Sequence, residues 1–181
     1  PSSRFCRALF GAGLPRVSDG SCLFLQHILA HMKPTGSRVG IVLSGSPLFS
    51  GQAGSGESEI RRWIIENDWL EGIVALPDQM FYNTGISTYV WILTNDKADQ
   101  DRGTVKLIDA RELGTKMRKS LGDKRKELTP NAIDEISRLY GGARDEYADA
   151  ARVKVLPNET FGSQRLTVKR PKDRRREVTA G

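Results

Sequence analysis

The sequence predicts an α/β fold, with a partial doubly wound sheet and a C-terminal extension. Short, apolar, β-branched segments alternate along the chain with segments whose apolar residues recur at helical spacing, which is typical of parallel-sheet α/β domains. The chain has 181 residues, of which 38% are hydrophobic and 28% charged, enough to build a core without disulfides or metals. Its longest apolar run is Tyr89–Leu93, far below the ~20 residues that a membrane-spanning helix needs.

The first helix is predicted between Cys22 and Met32, where the apolar residues share one face. Pro34 ends it, because proline disfavours helical backbone at the residue before it. The next segment, Arg38–Leu43, is short, β-branched and nearly all apolar. This composition predicts a buried strand with parallel neighbours.

A second helix, Glu57–Asn67, follows the glycine-rich loop Gly51–Gly56 and leads to a strand at Leu70–Leu76. Strand, helix and strand in this order predict a βαβ unit with a right-handed parallel crossover. Two more strands are predicted at Ser87–Thr94 and Thr104–Asp109 from their β-branched, apolar composition.

Beyond residue 110 the pattern changes. Arg111–Lys126 holds seven basic residues against two acidic ones, and we expect only partial order there. A helix follows, with Thr129 as its N-cap and Pro130 at its first position. Short β-like segments at Val153–Leu156 and Leu166–Lys169 form the extension. The predicted parts are therefore the α/β domain (1–110), a basic segment with helix and linker (111–151), and a C-terminal extension with a basic tail (152–181).

The net charge of +6 is concentrated near the C-terminus. Between Arg165 and Arg176 there are seven basic residues and one acidic residue, so the rest of the chain is neutral. Such a run either follows nucleic-acid phosphates or is a solvated terminal segment. The residues that we consider as DNA contacts are Lys169, Arg170, Arg174, Arg175 and Arg176.

Patterns for disulfides and metals are lacking in the sequence. Cys6 and Cys22 are too few for a disulfide framework, which favours a reducing, cytoplasmic setting. His27 and His31 have the i, i+4 spacing of a helical metal pair, but no third ligand lies near them in sequence. We therefore expect no metal site.

Two glycine-rich segments are candidates for binding an anion or a cofactor. Phe10–Gly13 has no predicted strand before it and no helix after it, so it lacks the context of a dinucleotide loop. Gly51–Gly56 does precede a helix, whose N-terminus could receive an anion. However, Glu57 and Glu59 in the first turn would repel a phosphate, and we expect a structural loop.

One loop combines residue types that suit a nucleobase. Phe81 and Tyr82 follow the predicted strand Leu70–Leu76 and precede Asn83 and Gly85. Adjacent aromatic residues at the carboxyl edge of a sheet serve either as core packing or as a platform on which a base stacks. The residues alone leave both interpretations open.

The segment from Phe24 to Asn95 resembles the later half of the methyltransferase domain in the modification subunit of type I restriction-modification systems, above all in GSGESEIRRWI and LPDQMFYNTGIS. The similarity continues through VKLIDARE and MRKSLGDKR to FGSQRLTVKRP. It implies a Rossmann-like, S-adenosylmethionine-dependent methyltransferase sheet. The strands predicted above resemble the family's fifth to seventh, of which the seventh is antiparallel.

The resemblance implies an adenine-specific DNA methyltransferase that uses S-adenosylmethionine and methylates the exocyclic amine of a flipped adenine. It implies DNA, a specificity subunit and a restriction subunit as partners, and the target sequence is delegated to the specificity subunit. It also places Phe81 or Tyr82 where related enzymes keep an aromatic residue that stacks on the target base.

The family's catalytic tetrapeptide, (N/D)-P-P-(Y/F), is absent from this sequence, because none of its eight prolines follows another. The family's glycine-rich cofactor turn is absent as well. We therefore assign no catalytic residue here, and expect this fragment to be inactive and to bind no S-adenosylmethionine. The alternatives are a non-catalytic DNA-binding or subunit-assembly module and a purely structural half.

Overall fold

A computed structural model of the protein describes residues 10–18, 20–142 and 151–162, with seven strands and four helices in those ranges. The strands are β1 Arg38–Ser44, β2 Leu70–Ala75, β3 Thr88–Thr94, β4 Thr104–Asp109, β5 Thr115–Leu121, β6 Lys124–Glu127 and β7 Val153–Pro157. The helices are α1 Ser21–Ala30, α2 Ser46–Phe49, α3 Gly56–Glu66 and α4 Pro130–Gly141, and 3-10 turns lie at Asp99–Asp101 and Asn158–Phe161.

Five of the strands form one mixed sheet in the order β1-β3-β2-β4-β7. β3 is antiparallel to both of its neighbours, β2 and β4 are parallel, and β7 is antiparallel to β4. Trp91, at the centre of β3, pairs with Ile41 on one side and with Ile73 on the other. The antiparallel strand implied by the resemblance is thus confirmed.

The sheet is covered on both faces, as a doubly wound α/β fold requires. Ile73 packs with α1 and α3 in one hydrophobic cluster, together with Trp91. Val74, the next residue along β2, belongs to a second cluster with Leu139 of α4. Neighbouring residues of a strand point to opposite faces, so β2 joins two cores, and the predicted fold class is confirmed.

The prediction that β1 is a buried strand with parallel neighbours is wrong. Within the described residues β1 pairs only with β3, and that pairing is antiparallel. Its burial alternates: Val39, Ile41 and Leu43 contact the first cluster, whereas Val42 on the opposite face is 47% exposed. β1 and β2 are both antiparallel to β3 and hence parallel to each other, as the predicted βαβ crossover requires. They are not adjacent, because β3 lies between them.

The α4 prediction is confirmed at its N-terminus, where the Thr129 hydroxyl accepts a hydrogen bond from the Ala132 amide and Pro130 opens the helix. The expectation of partial order in 111–126 is wrong, because this segment contains the β5–β6 hairpin. Its strands lack the alternation of apolar and polar residues that marks a half-buried strand. No helix in the described ranges has the length and apolar character to cross a membrane.

Candidate functional site

The candidate site is the loop of residues 76–87, which follows β2. β2 and β4 are parallel, so both end at the same edge of the sheet, where open α/β sheets place their ligand crevices. The Leu76 amide donates to the Thr88 carbonyl at 2.9 Å, and Pro77 is fully buried. The loop therefore leaves the sheet from a fixed base.

The loop folds back on itself in a tight turn. Gln79 has a left-handed backbone, with φ of 56°, and its amide donates to the Gly85 carbonyl at 3.3 Å. Phe81 and Thr84 form an isolated antiparallel bridge. A non-glycine residue at positive φ is uncommon and persists where surrounding contacts hold it. Here the Gln79–Gly85 hydrogen bond and the Phe81–Thr84 bridge hold the turn.

The two candidate aromatic residues have different surroundings. Phe81 is half-buried and packs against the second hydrophobic cluster, which includes Leu76 and Ala110. Tyr82 is 72% exposed. The sequence did not distinguish Phe81 from Tyr82. In the structure Phe81 packs against the core, whereas Tyr82 is open to solvent.

The basic hairpin is bonded directly to this loop. The amides of Arg125 and Lys126 donate to the Gln79 carbonyl at 2.9 and 3.1 Å. The Asp123 amide donates to the Tyr82 carbonyl at 3.0 Å. These three bonds fix the backbone on both sides of Phe81 relative to the hairpin.

An ion pair reinforces the docking. The Lys126 ammonium donates to the Asp78 carboxylate, and this hydrogen bond holds the pKa of Asp78 below its ordinary value. Both side chains are partly exposed, so the pair adds little to overall stability. Its consequence is local, since it sets the position of β6 against the start of the loop.

The hairpin approaches the loop of residues 76–87 closely at two glycines. A Cβ on Gly122, in the hairpin turn, would lie 2.7 Å from the Tyr82 carbonyl oxygen, and Gly122 has φ of 59°. A Cβ on Gly114 would lie 2.8 Å from the Pro77 ring. Both ends of the hairpin thus contact the loop where a larger residue would not fit.

The glycine-rich loop 51–56 has structural partners. Ser55 caps α3, accepting from the Ser58 amide at 3.3 Å. Glu57 is buried and accepts the Arg16 amide at 3.1 Å, which holds the pKa of Glu57 below its ordinary value. A Cβ on Gly56 would lie 1.8 Å from the Leu14 carbonyl oxygen. This geometry fits a structural loop. The N-terminus of α3 already has the carboxylate of Glu57 beside it.

His27 and His31 have no third metal-ligating residue beside them among the described residues. The rings of His27 and His31 lie 4.4 Å apart, and His31 Nδ1 lies 2.8 Å from the His27 carbonyl oxygen. No group of three or more His, Cys, Asp or Glu residues suited to a metal ion occurs in the part of the chain that the structure describes. The predicted DNA contacts of the tail lie outside the described residues: Lys169, Arg170, Arg174, Arg175 and Arg176.

Sequence reasoning missed a buried polar cluster and a large cavity. Lys97, whose side chain is 3% exposed, pairs with Asp68 at 2.5 Å, and Asn158 donates to the same carboxylate at 2.9 Å. A cavity of about 1280 Å³ lies beside this cluster, lined by Ile73 and Trp91 of the sheet and by residues of α3. Asp68 and Lys97 are 29 positions apart, so no local pattern signals their contact.

The chain is similar to known DNA methylases over nearly its whole length. The N-6 DNA methylase family model matches residues 2–174. The type I restriction enzyme MjaIX methylase subunit of Methanocaldococcus jannaschii is 30% identical over 133 residues, which are 74% of this chain and 23% of that protein. The HindI methylase subunit of Haemophilus influenzae is 38% identical over 102 residues, which are 56% of this chain and 22% of that protein.

Solved structures agree with the fold. The type I restriction-modification methyltransferase subunit of Streptococcus thermophilus aligns with a TM-score of 0.69 at 26% identity, covering 87% of this chain and 31% of that one. The EcoKI M protein aligns with a TM-score of 0.53 at 27% identity, covering 68% and 25%. The chain spans less than a quarter of the length of the two curated relatives described above. Because the family model matches almost all of its residues, the chain belongs to the N-6 DNA methylase family.

Proposed function

We propose that the methylase subunit containing this chain transfers a methyl group from S-adenosylmethionine to the exocyclic amine of adenine in DNA. The observation that carries the proposal is the family match over residues 2–174, which includes both the sheet and the loop beyond β2. In this proposal the chain supplies the later part of the methyltransferase domain. The subunit acts in the cytoplasm, together with specificity and restriction subunits and their DNA.

The chain's own contribution is a place for the target base. We assign base stacking to Tyr82, because this residue is 72% exposed while its carbonyl accepts a hydrogen bond from the hairpin. Extruding a base from the duplex costs a few kcal/mol, and stacking on an aromatic ring returns about 1–3 kcal/mol. A preplaced ring therefore offsets much of the cost. Phe81, the residue before it, packs against the second hydrophobic cluster and is not assigned to the base.

Cofactor binding and catalysis are assigned to other parts of the subunit. The family's tetrapeptide requires two adjacent prolines, and this sequence has none. We expect the isolated chain neither to bind S-adenosylmethionine measurably nor to methylate DNA. Micromolar binding of the cofactor to this polypeptide in a calorimeter would contradict that expectation.

The basic tail has a separate proposed role. Lys169, Arg170, Arg174, Arg175 and Arg176 are proposed to contact DNA phosphates, on the basis of their charge alone. Replacing Arg170 and Arg174–Arg176 with neutral residues should then lower the salt dependence of DNA binding by several units. An unchanged dependence returns the tail to a solvated segment.

The alternative function is a non-catalytic module for DNA binding or subunit assembly. The observation that favours it is the exposed basic hairpin, which needs no methyl-transfer chemistry to act. The deciding experiment expresses the complete subunit with its specificity subunit, incubates it with unmethylated DNA and S-adenosylmethionine, and measures N6-methyladenine by mass spectrometry. Methyladenine that depends on the cofactor supports the enzyme. DNA binding without any methylated base supports the module.

A further inference from the structure

The β5–β6 hairpin has an unusual distribution of charge. Residues 115–127 contain six basic side chains and two acidic ones. Lys116 of β5 lies directly opposite Lys126 of β6. Like charges directly opposite each other destabilise a strand pair, so this pairing weakens the hairpin unless something neutralises it.

Among the described residues, one of the hairpin's cations has an acidic partner. Lys126 pairs with Asp78. The structure gives no ion pair between a described residue and any of the other five: Lys116, Arg118, Lys119, Lys124 and Arg125. Six of the seven residues of β5 are exposed, on both faces of the strand. The hairpin therefore presents a solvent-facing basic surface on which Lys126 alone has an acidic partner among the described residues.

The hairpin is positioned by the loop that carries Tyr82. Its turn bonds the Tyr82 carbonyl through the Asp123 amide, and its second strand bonds the Gln79 carbonyl through two amides. Gly122 approaches the Tyr82 ring so closely that a Cβ there would lie 3.2 Å from a ring carbon. These contacts hold the basic surface next to the exposed aromatic residue.

We propose that the β5–β6 hairpin is a DNA-backbone contact, which receives the phosphates beside the nucleotide that stacks on Tyr82. This rests on the proposed function and extends it to a second surface of the same site. β5 has seven residues, which at about 3.4 Å per residue is a strip of roughly 20 Å. Duplex DNA carries one negative charge per ~1.7 Å of axis. A strip of this length laid along the duplex would therefore span several phosphates.

The composition of the hairpin fits DNA better than an acidic protein surface. Protein interfaces are depleted in lysine and have an apolar core. Here lysine dominates, and Leu121 is the one large apolar residue of β5 and β6 that is mostly exposed, at 54%. Phosphate binding requires cations, and it would neutralise Lys116, which faces the Asp78-paired Lys126. A protein partner would bury little apolar area on this surface.

The test compares two charge-neutralised variants of the complete subunit. The hairpin variant is Lys116→Gln with Arg118→Gln, two exposed residues that lie two positions apart and so on the same face of β5. The matched control is Lys33→Gln with Lys154→Gln, which are also exposed and lie outside the hairpin. Affinity for a labelled DNA duplex is measured between about 50 and 200 mM salt, the range in which phosphate contacts dominate. Thermal unfolding checks that both variants are folded.

The hairpin variant should lower the slope of log affinity against log salt by about two, with roughly tenfold weaker binding per contact near 0.1 M salt. The control should keep the wild-type slope. An unchanged slope in the hairpin variant overturns the proposal, and so does weakened assembly with the specificity subunit at an unchanged slope. If the wild-type subunit methylates no adenine but the slope still falls, the proposed function fails and the DNA contact stands.

Discussion

The ammonium of Lys97 lies 2.5 Å from the Asp68 carboxylate, and this pair links three separate segments of the chain. Lys97 also donates to the Thr104 carbonyl at 2.8 Å. The second oxygen of Asp68 accepts the Gly103 amide at 2.9 Å, and Asn158 donates to the first. The turn between α3 and β2, the connection between β3 and β4 and the turn after β7 therefore share one polar centre.

Replacing Lys97 with methionine should loosen this centre. Methionine fills the buried space but donates no hydrogen bond, so the Thr104 carbonyl and the Asp68 carboxylate each lose a partner. Asp68 is 29% exposed and water can hydrate it, so we expect a loss of about 1–3 kcal/mol in the free energy of unfolding. Urea unfolding measures the loss, and hydrogen exchange at Gly103 should speed up. Lys154→Met, at an exposed position, is the control and should change neither.

The same carboxylate predicts a loss of stability in acid. Burial raises the pKa of Asp68, but hydrogen bonds from Lys97, the Gly103 amide and Asn158 outweigh it and hold the pKa below the ordinary 3.8. The folded state thus binds this proton more weakly than the unfolded state does. The stabilisation is complete above pH 3.8 and disappears as the pH falls through the lower, folded pKa.

Asp68→Asn isolates this contribution, because asparagine tolerates the positive φ of 55° at this position. The variant should be less stable than wild type at neutral pH, and the difference should shrink as the pH falls below 3.8. Urea unfolding at a series of pH values measures it. A difference that stays constant across that range would show that the lowered pKa is not coupled to folding.

Gly122→Ala should detach the hairpin from the loop. The left-handed backbone at Gly122 costs an alanine roughly 1–2 kcal/mol, and its Cβ would also lie 2.7 Å from the Tyr82 carbonyl oxygen. Gly103→Ala is the matched control, because Gly103 also has positive φ but has open space around its Cβ position. Only the first variant should accelerate hydrogen exchange of the Asp123 amide, which donates to Tyr82. Equal protection of that amide in both variants would contradict the close approach.

The sequence predicted the central strands because their signals are local. β2, β3 and β4 are short apolar runs bounded by polar residues, and the structure places them within a residue or two of the predicted ends. The order of strands is a different kind of information. Nothing in the composition of Arg38–Leu43 indicates that β3 enters between it and β2, because pairing depends on distant segments.

The candidate site was only half predictable for the same reason. The loop was recognisable from Phe81, Tyr82 and the residues after them. The hairpin was not, because β5 has no apolar alternation, and its order comes from bonds to Gln79 and Tyr82, some 40 residues earlier in the chain. Residue type likewise does not indicate which of the two adjacent aromatic residues packs on the core, since the structure packs Phe81 against the second cluster and exposes Tyr82.

The last prediction separates the two aromatic residues by stability and by activity. Phe81 packs on the second cluster but is only half-buried, so Phe81→Ala should cost about 2 kcal/mol of stability, less than a fully buried aromatic. Tyr82 is 72% exposed, so Tyr82→Ala should leave the unfolding temperature nearly unchanged.

Methyl transfer by the complete subunit should depend more on Tyr82 than on Phe81, which is the reverse of their effects on stability. Losing a stacked base removes about 1–3 kcal/mol, so Tyr82→Ala should reduce adenine methylation about tenfold to a hundredfold. Tyr82→Phe keeps a ring and should retain most activity, because stacking needs the aromatic face and not the hydroxyl. Initial rates of methylation and unfolding temperatures, measured for Phe81→Ala, Tyr82→Ala and Tyr82→Phe, test whether Tyr82 stacks on the base. If the Tyr82→Ala subunit methylates DNA as fast as the Tyr82→Phe subunit, the ring does not stack on the base. Tyr82 is then an exposed aromatic residue at the edge of the sheet without a role in methyl transfer.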